Sequence, residues 1–500
     1  MPAAALAASE DLAGPRADGY TRHRPEASLL YQIVEEYWPE FRQRADEAGG
    51  LPRFVIREFE SYLKCGILEH GLARLKCGRC GHEMVIGFSC KRRGFCPSCC
   101  GRRMDDVAAH LVDAVLPAEV RYRQWVCTVP WEWRTAIGYD RKLCADVLDA
   151  FASSLLRHIR WRVKRLFGLA SVSDAQVGAI TFVQRNDSAL RLAPHFHTLA
   201  ADGAWVRGED GDLRFLALPE PTAEEVAQLA TRVHVRLLRT LERHGRLGEL
   251  SADEHVLASC YGAAAGDVQV LGADPGQRTQ KVFGPVPVQV SATETPVAQV
   301  GGVNIHAATA VDGRDRRRLE RLVRYMARPP VCTERLVLQD DGKVRYGFKS
   351  AWRDGTKAVV LSGLDFIARL CALVPPPRFH LVHYHGAFSG GSAARQDIVP
   401  GLPAPQQPKT PIPLFEQETD TLPAPSEPSR HPWSWLLARV FAVDILKCPV
   451  RSCPGEMKVV EVARTREHAA RILAGLALGA RPPTRRSRVP ARQLALPFRH

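Results

Sequence analysis

The sequence predicts an α+β protein of several domains. Three observations carry that prediction: helical apolar spacing near the N-terminus, two strand-like runs joined by a polar turn, and a dense cysteine segment between them. Residues 1–25 hold Ala, Pro and charge without periodicity and are expected to form a disordered arm. Leu29, Ile33 and Tyr37 recur at helical spacing, and Phe54, Phe59, Tyr62 and Leu63 mark a second short helix. With the cysteine-rich stretch that follows, they give an N-terminal helical and zinc-ribbon-like module over 26–110. The stretch itself is too short for a large core, so metal must supply much of its stability.

The run Gln124–Val129 reads as extended, and Val177–Val183 as a buried strand. A turn at Asn186-Asp187-Ser188 leads to a second strand through about Leu199, which makes a hairpin. A helix is expected from about Thr222 to His244, then a low-complexity Gly/Ala patch near Gly262 and a strand-like stretch to Val300. A strongly basic helix over 314–328 ends where Pro329-Pro330 stops it. These elements fall in a central domain spanning 111–386. Prolines then crowd 387–430, a linker, before a short helix from Trp433 to Ile445, a cysteine pair and an amphipathic helix in a small C-terminal module over 431–480. The last residues, 481–500, are a basic tail.

Over 500 residues, 68 Lys and Arg oppose 54 Asp and Glu, a formal charge of +14 that favours polyanionic partners such as nucleic acid. No apolar run approaches a membrane span, and Met1–Gly14 has no basic region ahead of its alanines, so cytoplasmic residence without a membrane partner is the default expectation. Of 14 cysteines, seven fall between Cys65 and Cys100, which points to metal rather than to a disulfide framework.

Cys77-Gly-Arg-Cys80 and Cys96-Pro-Ser-Cys99 are two knuckles with fifteen residues between them. That spacing suits one structural four-thiolate zinc site made of Cys77, Cys80, Cys96 and Cys99. A redox pair would need only one knuckle and a thioredoxin-like context that the chain lacks. Cys65, Cys90 and Cys100 are expected to be packing thiols, with a second site as the lesser alternative. Lys91, Arg92, Arg93, Arg102 and Arg103 flank the knuckles as a basic edge suited to DNA phosphates, or else as a solvated charged face.

His195-Phe196-His197 lies on the second strand of the hairpin. Alternation puts both imidazoles on one face, where they could share one divalent cation, and Phe196 on the other. The triplet alone decides little, since His383-Tyr384-His385 repeats it. On the basic helix, Leu319, Leu322, Val323 and Met326 form an apolar stripe, while Arg318, Arg321, Tyr325 and Arg328 share another side. A boundary tyrosine on an ordinary amphipathic helix is the plain reading. A phenol among guanidiniums that can hold a phosphodiester is the chemical one.

Several blocks in order then resemble a known family: Ser89–Cys99, Phe182-Val-Gln-Arg185 with Pro194–His197, Arg324–Pro330, Ala351–Thr356, and Pro375–Arg378 with Tyr384-His-Gly386. The chain resembles the rolling-circle transposases of insertion sequences and common-region elements, which belong to the HUH class of single-strand endonucleases. The resemblance covers about Leu29 to Leu478. It implies an N-terminal transposase zinc-binding domain and a central HUH domain with an antiparallel sheet and flanking helices. His195 and His197 would then hold Mg²⁺ or Mn²⁺, with Gln184 as the candidate third ligand. Tyr325 would be the nucleophile that nicks and rejoins single-stranded DNA at the element ends, and Arg318, Arg321, Arg324 and Arg328 would contact phosphate. Members with paired tyrosines carry the first one turn earlier, where this chain has Arg321, so a single-tyrosine variant is implied; a second protomer is left open. The family's compact cysteine pair near the C-terminus is here Cys448-Pro-Val-Arg-Ser-Cys453, a departure that leaves a zinc site there unassigned. The competing readings are a zinc-ribbon DNA-binding regulator without catalysis and a metal nuclease that hydrolyses with water.

Overall fold

A computed structural model describes residues 24–245, 255–271, 275–286, 295–401, 446–450 and 452–476. Helix α1 (Leu29–Glu47) starts where the Ser28 side chain accepts from the Tyr31 amide, and α2 (Arg53–Tyr62) follows. The cysteine segment forms a hairpin of β1 (Leu72–Cys77) and β2 (Glu83–Gly87), then α3 (Pro97–His110). Next come β3 (Arg121–Thr128), the long helix α4 (Arg141–Phe167), and the hairpin of β4 (Gly178–Asn186) and β5 (Leu192–Ala201). Helix α5 (Ala223–Arg243) opens on a reciprocal Thr222–Glu225 cap, and α6 spans His255–Gly266. Strands β6 (Val297–Val300) and β7 (Val303–Asp312) lead to α7 (Arg316–Met326) and α8 (Gly363–Leu373). The edge strand β8 (Val382–Gly386), then β9 (Met457–Ala463) and α9 (Arg466–Gly475), complete the elements that position the site.

Six antiparallel strands in the order β6-β7-β3-β5-β4-β8 form the central sheet. Its two faces are dressed differently. Phe196 points into a core with α4 and α5, where Val147, Phe151, Leu155, Leu229 and Val233 are buried. The opposite face, bearing Ile180, Phe182 and Leu199, packs on the apolar stripe of α7 and on the residues that follow α3. The chain is therefore α+β, with helices laid on an antiparallel sheet.

A second core joins regions far apart in sequence. Trp38 of α1 stacks on Phe59 of α2 at 4.0 Å, and Phe59 and Tyr62 close on Phe95, next to Cys96. The same cluster includes α6 and α8. Tyr37 lies so close to Gly363 that a Cβ there would sit 2.4 Å from its ring, so only glycine lets α1 approach α8. The Ala/Gly patch around Gly262, read as low complexity, is α6; alanine is the strongest helix former, and Val256, Leu257 and Tyr261 give the helix a buried side.

The C-terminal segment does not stand apart. Strand β9 adds to the far side of β1, so the ribbon sheet runs β9-β1-β2, with Arg74 held by Glu83 at 2.8 Å and Glu461 at 3.2 Å. The helix expected over Trp433–Ile445, the arm through residue 23, the tail 481–500 and residues 402–430 of the expected linker lie outside the described residues, whereas its first part, 387–401, packs on the central domain with Phe388 and Ile398 buried. Among the described residues no helix is long and apolar enough to cross a membrane.

Candidate active site and metal centres

The thiols correct the expected zinc site. Cys77, Cys80, Cys96 and Cys99 do not converge; they divide between two sets, Cys65-Cys90-Cys96-Cys99 and Cys77-Cys80-Cys448-Cys453. The hairpin explains the division. Cys65 precedes β1 and Cys90 follows β2, so both lie at its open end, where the start of α3 brings Cys96 and Cys99. Cys77 ends β1 and Cys80 lies in the turn, at the far end of a strand about 17 Å long. One ion cannot bridge that length. At the tip the missing two ligands come from Cys448 and Cys453, carried in by β9.

Both sets fit zinc. Tetrahedral Zn–S bonds of about 2.3 Å require sulfur separations of about 3.8 Å. Observed separations are 3.7 Å for Cys65–Cys99, 3.4 Å for Cys90–Cys99 and 3.7 Å for Cys65–Cys96. At the tip, Cys77–Cys453 is 3.7 Å and Cys80–Cys448 is 3.5 Å. These distances are far too long for disulfides. Backbone amides also support the thiolates: Cys90 N–H donates to Cys65 Sγ at 3.2 Å and Gly455 N–H to Cys453 Sγ at 3.4 Å. Hydrogen bonds to Cys77 from the Cys80 and Arg79 amides bring its thiol down to about 6. A Cβ on Gly455 would lie 2.6 Å from Cys77 Sγ, so the closing loop needs glycine to approach the sulfur. Four thiolates per set leave no open coordination position, so these ions would be structural.

The histidine pair sits in the middle of the central sheet. His195 pairs with Thr128 on one side and Gln184 on the other, and His197 with Val126 and Phe182. The two rings lie 4.9 Å apart on the face that carries α7. His195 donates from Nδ1 to the Ala193 carbonyl at 2.7 Å, which leaves Nε2 as an electron-pair donor. His197 Nδ1 lies 2.8 Å from the side-chain amide of Gln124; with that amide turned so that its Oε1 accepts from Nδ1–H, the buried Nε2, which has no hydrogen-bond partner, is left as an electron-pair donor. A buried imidazole nitrogen with nothing to bind, beside a second one fixed by a carbonyl, is the donor set of a cation site. Burial, with Arg328 and Arg134 nearby, holds His195 down to about 4. Burial, His195 and Arg328 push His197 well below the usual imidazole range. Both rings are thus neutral near pH 7, as metal ligation requires. Gln124 was missed in the sequence; it shares the site-facing side of its strand with Tyr122, Val126 and Thr128, so polarity alone did not single it out.

Helix α7 brings the phenol to this pair. Asp315 caps its start by accepting from the Arg318 amide at 2.9 Å, and the buried Leu319, Leu322, Val323 and Met326 seat it on the sheet. Tyr325 then meets His197 edge to face, with centroids 5.8 Å apart. The Arg328 guanidinium lies 4.5 Å from the Tyr325 ring centroid. Gln184 donates to the Met326 carbonyl at 2.8 Å, so it secures the C-terminal end of α7 and has only its Oε1 to offer a cation. Among the described residues no third His, Cys or carboxylate joins the two imidazoles.

The cations expected on DNA divide. Arg318, Arg321 and Arg328 are exposed, but Arg324 is held by Glu320 at 2.9 Å and Asp105 at 3.3 Å, which ties α7 to α3. Lys91 and Arg102 are exposed; Arg92 donates to Ser61, and Arg93 to the Phe379 carbonyl at 2.8 Å. Arg103 is half-buried, with an unpartnered Nε. The second triplet splits across the sheet. Tyr384 pairs with Ile180 on the site-facing side, whereas His383 and His385 share the face of Thr181 and Ala179, and His385 Nε2 lies 3.0 Å from Thr181 Oγ1. Trp352 donates to Ser188 at 3.0 Å and lies under Arg191, so that motif clamps the hairpin turn instead of lining the site.

Residues 178–396 match the family model described as "Putative transposase", and residues 33–129 match the transposase zinc-binding domain of the IS91 type. The first match contains His195, His197 and Tyr325. The second contains the complete Cys65-Cys90-Cys96-Cys99 set, while Cys448 and Cys453 lie outside both. Together they support an IS91-type transposase, a DNA-processing enzyme with a zinc-binding domain. No curated protein and no solved structure matches the chain.

Proposed function

We propose that this chain, a transposase by its two matched segments, nicks and rejoins single-stranded DNA at the ends of a rolling-circle element through Tyr325. What supports this reading is one juxtaposition: the Tyr325 ring stands 5.8 Å from the His197 ring, with the Arg328 guanidinium over the phenol. His195, His197 and the Oε1 of Gln184 would hold Mg²⁺ or Mn²⁺, which supplies Lewis-acid polarisation of a phosphate oxygen. With their Nε2 lone pairs given to that cation, neither imidazole would be free to take a proton. Arg328 holds the diester against the phenol. Tyr325 Oη attacks phosphorus in line, the bond to the 3′ oxygen breaks, and the phenolic proton is made up on that oxygen through solvent. The products are a 5′-phosphotyrosyl strand and a free 3′ hydroxyl. Because phosphodiester energy is conserved, the reverse step rejoins the strand and no nucleotide cofactor is needed. Denaturing gels of the full-length protein with labelled single-stranded element ends and Mg²⁺ or Mn²⁺ test this. A labelled band at protein size that disappears in Tyr325→Phe is expected. Binding without any adduct would leave a zinc-ribbon regulator, and cleavage without an adduct a hydrolytic nuclease.

A further inference from the structure

A cleft opens beside the tyrosine, between the zinc-binding region and the central sheet, and shares Gln184 and Arg328 with the site described above. The room it encloses for water-sized contents is about 100 Å³, enough for a ring and open at the mouth. One wall is α3, through Arg103, Met104 and Val107; the other is the end of β4 and the C-terminal end of α7, from Met326 through Pro330. The floor is apolar and the lip is cationic. Met104, Val107 and Pro329 supply a surface that a flat ring can cover, while Arg93, Arg103 and Arg328 stand around it. Arg103 keeps a buried Nε without a partner, and neither it nor Arg328 belongs to an ion pair among the described residues. Burial and the nearby Arg103 lower Arg93 while Glu58 acts the other way, so the lip carries two guanidiniums in each other's field. The sheet edge is open here as well: β8 follows β4 only as far as Phe182, with one further bond from the Val183 amide to Leu381. Beyond it, Gln184–Asn186 border the cleft with no strand on that side among the described residues.

We propose that this cleft seats one nucleotide of the single strand next to the scissile phosphate, its base against Met104, Val107 and Pro329 and its phosphate between Arg103 and Arg328. The inference rests on the single-strand reading and extends it. Zinc then has a role in substrate recognition. Arg93 lies three residues before Cys96 and Arg103 four after Cys99, so the thiolate set at the open end of the hairpin fixes both cations at the cleft. The module would be one wall of the substrate site as well as a docking unit. A base packed on an apolar floor is recognised by shape, and the exposed edge of β4 can add hydrogen bonds to its rim.

Fluorescence anisotropy tests the seat without requiring cleavage. The zinc-loaded full chain carrying Tyr325→Phe is titrated with an oligothymidylate and with an abasic oligomer of equal length and charge. The expected result is a preference of about tenfold for the oligothymidylate. Met104→Trp, which fills the cleft, should abolish that preference. Arg103→Gln should weaken both oligomers alike and lower the salt slope by about one. Zinc content and melting check that each variant folds; if Met104→Trp does not fold, Met104→Ser removes the apolar wall and should also lose the preference. Equal binding of the two oligomers by the Tyr325→Phe chain, or a preference that survives filling the cleft, overturns the seat. An adduct at Tyr325 with no base preference sinks this proposal alone. A base preference with no adduct sinks the nicking reading alone.

Discussion

Replacing Cys453 with serine is expected to remove one of two zinc ions and release the C-terminal strand. In the intact protein β9 pairs along β1 from Leu72 to Cys77, and beyond that ladder it is held by the Arg74–Glu461 pair and by the packing of α9 on the ribbon. Met457 of β9 and Ile472 and Leu473 of the following α9 are the segment's larger buried apolar side chains, worth about 2 kcal/mol each at full burial. A structural zinc contributes about 10–16 kcal/mol. Metal therefore outweighs packing in keeping the segment on the ribbon. Elemental analysis of the purified full chain should give two zinc ions, falling to one in Cys453→Ser and in Cys80→Ser. Limited proteolysis should then cut between Lys447 and Gly475 in both variants and spare the intact protein. Cys90→Ser should remove the other ion and leave β9 protected. One zinc ion in the intact protein, or two in Cys453→Ser, would refute the two-set arrangement and return the argument to a single Cys77-Cys80-Cys96-Cys99 site.

Three further outcomes are expected. Gln124→Leu should lower the affinity for Mn²⁺, read by titration calorimetry, about 10–100-fold, because the group that orients His197 is lost. Asp315→Ala should cost about 1 kcal/mol in urea unfolding, through the lost cap of the tyrosine helix. His158 is buried and, through burial and then Arg162 and Arg232, held down to about 4. Its unfolded form therefore binds protons first as pH falls. Its contribution is complete above about pH 6.5 and is lost down to about pH 4, roughly 3 kcal/mol for this one residue. Denaturant midpoints of the intact protein should drop across that window, and His158→Phe should drop less.

What was legible in the sequence was local. The hairpin and the tyrosine helix announce themselves by a period of two, a period of 3.6 and the stop at Pro329-Pro330, and alternation alone puts His195 and His197 on one face. Sequence spacing failed for the cysteines because it treats neighbours in the chain as neighbours in space. A hairpin about 17 Å long separates the two knuckles, and the partners of Cys77 and Cys80 arrive from Cys448 and Cys453. Fourteen cysteines, far more than one four-thiolate site uses, were the available clue. Long-range packing was hidden for the same reason. Nothing local says that Tyr37 will face Gly363, or that α3 will wall a cleft beside Tyr325. The Ala/Gly patch misled in another way, since small residues can mark either a flexible stretch or a closely packed helix, and burial of Tyr261 decides for the helix.

The most direct test of the account is the identity of the residue that becomes joined to DNA. Full-length protein is incubated with Mn²⁺ and a single-stranded oligonucleotide carrying the element end, digested, and the peptides are sequenced by mass spectrometry. The account predicts a nucleotide attached through a 5′ phosphate to Tyr325, and its disappearance in His197→Ala with zinc content unchanged. A nucleotide on any other residue, or cleaved DNA with no modified peptide, would contradict it.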